Sequence, residues 1–160
     1  MSEGIDSSLV RKALATALGG RYSHVPPDRA IPGLTAAEAG LAPGPGQASA
    51  QRVLHHMVYW QDLILQAAQG HKPQWPAGPV DWQEEMPPWA ELVARFAAGL
   101  AAAQELAAGA DLAVALPHWG PESNVLHGLT VLATHNSYHL GQLLAARRAT
   151  GCWPTPDSRA

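Results

Sequence analysis

No proline interrupts the chain from Glu122 to Cys152. A proline inside a helix removes a backbone donor and clashes with the preceding turn. A run this long without one, with Leu132, Leu140, Leu143 and Leu144 at helical spacing, constrains the segment to a long helix. The 14 prolines and 15 glycines cluster between segments of the same kind and mark loops. Alanine is abundant and β-branched residues are sparse, which favours helix over strand. The expected fold class is all-α.

Four helices are expected. The first covers residues 6–19, capped by Asp6 or Ser7, with Val10, Ala13, Leu14, Ala17 and Leu18 inward and Gly19-Gly20 as its stop. The second runs from a Ser49 cap to Gln69, with an apolar stripe of Val53, His56, Met57, Trp60, Leu63, Ile64 and Ala67. The third starts near Pro88 and ends at Gly109, burying Leu92, Val93, Phe96, Leu100, Ala103, Leu106 and Ala107. The fourth starts at Pro121-Glu122, with Gly120 as its cap, and continues to about Thr150, where Gly151 and Pro154 end it. Together they predict a single domain over 1–160, an antiparallel four-helix bundle with a long crossover loop between the first and second helices. Within that loop Thr35 can cap a turn over 35–40, and Tyr22, Val25, Ile31 and Leu34 are expected to pack across the bundle. His118-Trp119 is expected as a surface turn. Gly128 and Gly141 each cost a helix roughly 1 kcal/mol against alanine, which the close approach of a neighbouring helix would explain.

Composition narrows the function. A net charge of −3 with 10 Lys+Arg provides no basic field for nucleic acid or for an anionic membrane surface. No apolar run reaches the ~18 residues of a membrane span. One cysteine, Cys152, excludes an internal disulfide, and its place at a helix end beside Trp153 gives it no evident chemistry. The first residues lack the basic and apolar regions of a secretory signal, so a cytoplasmic location is expected. Six tryptophans and alanine-rich helix faces point to a homodimer.

The chemistry-bearing feature is the pair His135 and His139. Residues four apart stack on one helix face, and both histidines lie in the stripe Val125, Leu129, Leu132, His135, His139, Leu143. Imidazoles left in a core without partners cost several kcal/mol, a deficit that a shared metal ion removes. A third inward histidine is His56; its neighbour His55 falls one residue off the stripe, on the side of Gln51, Asp62 and Gln66. A lone inward histidine is more often a hydrogen-bonded core residue than a ligand. Three neutral imidazoles leave coordination positions open, as in catalytic rather than structural sites. Zinc is the generic ion, and nickel, iron and copper also accept imidazole. Asn136, where a zincin carries glutamate, provides no built-in base. Neither a G-x-S-x-G elbow nor a Walker pattern occurs.

The segment His135-Asn136-Ser137-Tyr138-His139-Leu140-Gly141-Gln142, followed by Arg147-Arg148 and Gly151-Cys152-Trp153-Pro154, resembles the signature end of the DinB-like superfamily. Leu54-His55-His56-Met57-Val58-Tyr59-Trp60-Gln61 is similar to that superfamily's second-helix motif, and the stretch from Ser23 to Leu41 to its preceding loop. The resemblance implies a four-helix bundle, often dimeric, with a divalent metal (zinc or nickel) on His56, His135 and His139. It also implies kinship with thiol S-transferases that use bacillithiol, mycothiol or glutathione, and with metal-dependent hydrolases. The extra His55 departs from the pattern and leaves two adjacent residues for the first ligand position.

Three functions therefore stand side by side. In a thiol S-transferase the metal lowers the pKa of a small thiol that attacks an electrophilic small-molecule substrate. In a hydrolase the open position activates water. In a non-enzymatic, stress-associated bundle the histidines only bind metal or fill the core. Tyr59, Tyr138, Asn136 and Gln142 are candidate orienting groups, and Asp62 a candidate acceptor behind a ligand. The connections at 20–48 and 70–87 are expected to shape the pocket.

Overall fold

The computed structural model describes residues 6–77, 85–116, 119–120 and 122–153. They form six helices: α1 (Ser7–Leu18), α2 (Pro27–Ala30), α3 (Ala36–Gly40), α4 (Ala50–Ala68), α5 (Trp89–Gly109) and α6 (Val125–Ala149). Among the described residues all regular elements are helices, with one isolated β-bridge between Ala115 and Asn124. The expected loop residues Pro79 and Trp82 lie outside the described residues, as does His118.

The helix ends follow local chemistry. Asp6 caps α1 through the Ser8 amide, and Ser49 caps α4 through the Arg52 amide. Thr35 and Glu38 form a reciprocal capping box on α3. The expected start of the last helix needs correction. Asn124, not Gly120, caps it, with its side-chain oxygen 2.9 Å from the His127 amide. The residues before it are held off the helix by the bridge and by the Leu116 amide donating to the Ser123 carbonyl at 2.7 Å. A side-chain cap that takes up an otherwise unpaired amide outcompetes glycine.

Helix α4 packs against α6 and α5, and α1 packs against the same two from the other side. Helices α4 and α6 run antiparallel: Val53 lies with Ala146 and Ala149, whereas Trp60 reaches His135. Helices α4 and α5 run parallel, since Gln51 meets Pro87, Gln61 meets Phe96 and Asp62 meets Arg95. This corrects the expected alternation. The connection that crosses the length of the assembly is 69–88, after α4. At about 3.3 Å per extended residue it has ample reach for the roughly 28 Å length of a helix of this size. The connection 19–49 instead stays at one end, where α2 touches α6 and α3 touches α4 and α5. Ile31 is buried there, and Val25 and Leu34 pack against the core as expected. Tyr22 does not: it is 98% exposed, on left-handed backbone with φ +72°.

The core divides into two clusters. One holds Val53, Leu54, Met57 and Val58 of α4 with Phe96 of α5 and Leu140, Leu143 and Leu144 of α6. The other holds Ile64 and Leu65 with Ala103, Leu129, Leu132 and Ala133. Gln61, Gly99 and Asn136 fall between them in sequence on α4, α5 and α6. Gln61 is fully buried, and a Cβ on Gly99 would collide with its side-chain amide. Gly99 is therefore the residue that admits a glutamine to the core. A Cβ on Gly128 would meet Leu116 and Trp119 at 3.1 Å, so the expected close approach is real, but a loop makes it rather than a helix. Gly141 has nothing within 4 Å and is not explained by packing. Trp119 is no surface residue: it is half-buried against Trp75, ring centroids 5.3 Å apart.

Candidate metal centre

His135 and His139 stand one turn apart on α6, and His56 faces them from α4. One nitrogen from each of the three rings lies within 4.8 Å of the others. The Nε2 atoms of His56 and His135 are 3.3 Å apart. Two nitrogens bound at about 2.0–2.1 Å to one tetrahedral ion would be separated by about 3.3 Å, so this pair is spaced as a chelate. Ring centroids of His139 lie 4.4 Å from His56 and 4.3 Å from His135. Of the two neighbours, His56 joins the group and His55 does not. His55 is half-buried near Arg95, and its pKa is lowered by burial and then by that guanidinium.

The electrostatics favour neutral rings. Burial first, then the prospect of positive charge on His139 and His56, pushes the His135 pKa down to about 4, against a small opposing influence from the adjacent Asn136. Burial also lowers that of His139. Neutral imidazole is the form that binds a metal. The donor set therefore fits a divalent transition metal: three borderline imidazole nitrogens brought within 4.8 Å of one another, with His135 and His139 held toward their neutral form.

The ring of His139 is oriented by Gln142. Its Nδ1 is 2.7 Å from Gln142 Oε1, an atom that only accepts, so Nδ1 carries the proton and Nε2 keeps its lone pair. Gln142 Nε2 donates in turn to the Tyr138 hydroxyl at 3.2 Å. The expected orienting roles of Gln142 and Tyr138 thus have a geometric basis, although Tyr138 is 66% exposed. Asp62 does not serve as an acceptor behind a ligand. Its carboxylate is 2.6 Å from Arg95 of α5, on a solvent-exposed face. Tyr59 packs edge-on against Trp60, with centroids 5.7 Å apart.

Trp60 is the neighbour that sequence reading placed in the core rather than beside the site. Its ring centroid is 6.4 Å from that of His56 and 6.3 Å from that of His135. Trp75, from the connection after α4, stacks on it at 6.5 Å. The signal was present in the stripe, where Trp60 follows His56 by one helical turn.

A family model of the DinB superfamily matches residues 28–143, which include all three histidines. No curated protein matches. The crystal structure described as the conserved protein of locus from Enterococcus faecalis matches with a TM-score of 0.58. The match covers 90% of this chain and 94% of that one at 18% identity, a likeness of fold alone.

Proposed function

This chain belongs to the DinB superfamily, and from that premise we propose that His56, His135 and His139 hold one divalent metal ion, zinc or nickel, in a thiol S-transferase built as a four-helix bundle. The observation that carries the reading is the convergence of three ring nitrogens within 4.8 Å. No carboxylate belongs to that group among the described residues. A bound metal brings the pKa of water down to about 7 and deprotonates a coordinating thiol outright, but hydrolysis needs in addition a group that hands a proton to the leaving group, and the three-histidine group carries none. The donor set therefore favours a thiol over water as the nucleophile's source.

A divalent ion held there would supply the positive charge that keeps a small thiol as thiolate. The remaining work falls to the chain. Gln142 fixes the His139 ring in the tautomer that presents Nε2. Trp60, backed by Trp75, covers one flank of His56 and His135 with apolar surface, which limits water there and strengthens electrostatic attraction. The net reaction forms a carbon–sulfur bond, releases the leaving group of the electrophile with its electron pair, and sends the thiol proton to solvent. A homodimer acting on a small-molecule substrate completes the proposal.

The first experiment is elemental analysis of the purified protein beside His55→Ala, His56→Ala and His139→Ala. One divalent ion per chain, kept in His55→Ala and lost in the other two, supports the site. Metal-dependent loss of bacillithiol, mycothiol or glutathione in the presence of an alkyl halide then supports the transferase. Turnover of an ester or amide with no thiol present would instead assign hydrolysis, and a loaded protein inert in both assays would leave a metal-binding bundle.

A further inference from the structure

Among the described residues, four buried side-chain atoms have no hydrogen-bond partner: His135 Nδ1, both amide atoms of Asn136, and Gln61 Oε1. A buried polar group left unpaired costs about 1–3 kcal/mol. Natural cores keep such groups only for a reason, commonly a site or a bound water.

These four atoms complement one another. His135 presents Nε2 to His56, so the tautomer that leaves that lone pair free carries its proton on the buried Nδ1. That proton is a donor without an acceptor. Asn136, 3% exposed and next in the chain, offers one acceptor and one donor whichever way its amide is turned. Gln61 donates from Nε2 to the Phe96 carbonyl at 3.2 Å, which fixes its amide and leaves Oε1 as an acceptor. Asn136 and Gln61 both lie in the seam between the two core clusters. The four atoms thus sort into two donors and two acceptors within one layer of the core.

We propose that Asn136 and Gln61 are positioning residues that hold His135 in its metal-binding tautomer through a buried relay. His135 Nδ1–H donates toward Asn136 Oδ1, Asn136 Nδ2–H toward Gln61 Oε1, and Gln61 Nε2–H to the carbonyl of Phe96. A single buried water suffices for each link that side chains do not close directly, since such a site is polar and offers it several partners. The relay gives His135 what Gln142 gives His139. It also ties α5, which carries none of the three histidines, to the centre. A histidine ligand held through its second nitrogen is a better and better-aimed donor.

The inference rests on the metal reading for its purpose but not for its test. The test is nitrogen NMR on the metal-free protein at neutral pH, reporting which ring nitrogen of His135 bears the proton, with zinc affinity measured separately by chelator competition. Wild type is expected to show the Nδ1–H form. Asn136→Leu is expected to shift His135 toward Nε2–H and to weaken zinc by about 10–100-fold, with the melting temperature of the metal-free protein unchanged or raised. Asn136→Asp, which keeps an acceptor, restores the tautomer. An Asn136→Leu protein with wild-type tautomer and zinc affinity overturns the relay, as does an Asn136→Asp protein that fails to restore the tautomer. If Asn136→Leu does not fold, Gln61→Leu is read in the same way, and an unchanged tautomer there overturns it. A wild-type protein that takes up no zinc would overturn the metal reading alone, because the tautomer still decides the relay.

Discussion

Asn136 and Arg147, eleven positions apart on α6, are both buried, and they are treated in opposite ways. Arg147, 1% exposed, gives its guanidinium to the carbonyls of Ala30, Pro32 and Cys152 and lies 4.9 Å from the ring centroid of Trp153. Asn136, 3% exposed, has no partner for either amide atom. Fully satisfied polar burial is architecture: Arg147 fastens the connection after α1 and the chain after α6 to one end of the assembly. The unsatisfied amide of Asn136 lies next to one of three clustered histidines, where on our proposal it serves a ligand rather than the fold. The contrast predicts that substitutions in the two turns will report on different properties.

The largest effect is expected from Arg147→Leu. It leaves three carbonyls without their donor and replaces charge-assisted bonds with none, a loss of about 3 kcal/mol or more. Urea denaturation of the metal-free protein should show it as a lower midpoint. The tautomer of His135 should not move, because Arg147 belongs to the other end of the helix. A loss of histidine order in this variant would erase the distinction between the two turns.

Gln142→Leu comes next, with the opposite signature. It removes the acceptor from His139 Nδ1, so zinc affinity should fall by about 10–100-fold. The residue is only half-buried, so urea stability should stay close to wild type. Competition titration and denaturation on the same sample separate the two outcomes.

Acid should reach the histidine turn and spare the arginine one. The folded-state pKa of His135 lies at about 4, below its ordinary 6.5, and that of His139 is lowered as well. The unfolded chain therefore binds more protons in this range, and stability falls as pH drops from the ordinary histidine value toward about 4. Arg147 keeps its charge throughout. Metal-free protein followed by urea midpoint against pH should show this slope, and His135→Phe should flatten it. A profile level between neutral pH and about 4 would show that burial does not hold the rings neutral.

Much of this was legible in the sequence, and particular residues show why. The choice of His56 over His55 followed from a period of 3.6, because burial on one face is what a helix records in its sequence. The caps at Asp6, Thr35 and Ser49 were legible because a cap depends on one side chain and the next amides. The direction of α5 was not. A connection of twenty-odd residues can turn back or cross over, and the contacts that decide, Gln51 with Pro87 and Gln61 with Phe96, join residues about 35 positions apart. The polar layer was hidden for the same reason. Gln61 looks like any glutamine beside an apolar stripe until Gly99, on another helix, is seen to make room for it.

The smallest effects come from two glycines of α6 whose difference only the structure supplies. Both interrupt a helix, and each alone would be read as a cost of roughly 1 kcal/mol against alanine. At Gly128 the new methyl would meet Leu116 and Trp119 at 3.1 Å. Trp119 is in turn packed against Trp75 and cannot retreat freely. Gly128→Ala should therefore lose its propensity gain to overpacking and come out neutral or destabilised by about 1 kcal/mol. At Gly141 the methyl meets nothing within 4 Å, and the residue is solvent-exposed between His139 and Gln142. Gly141→Ala should raise stability by about 0.5–1 kcal/mol, visible as a higher melting temperature of the metal-free protein. It should leave zinc affinity unchanged if the backbone there is already helical and rigid. A Gly141→Ala protein that is more stable yet binds zinc less well would show that the turn carrying His139 must flex to close on its ion, and would place that flexibility among the requirements of the site.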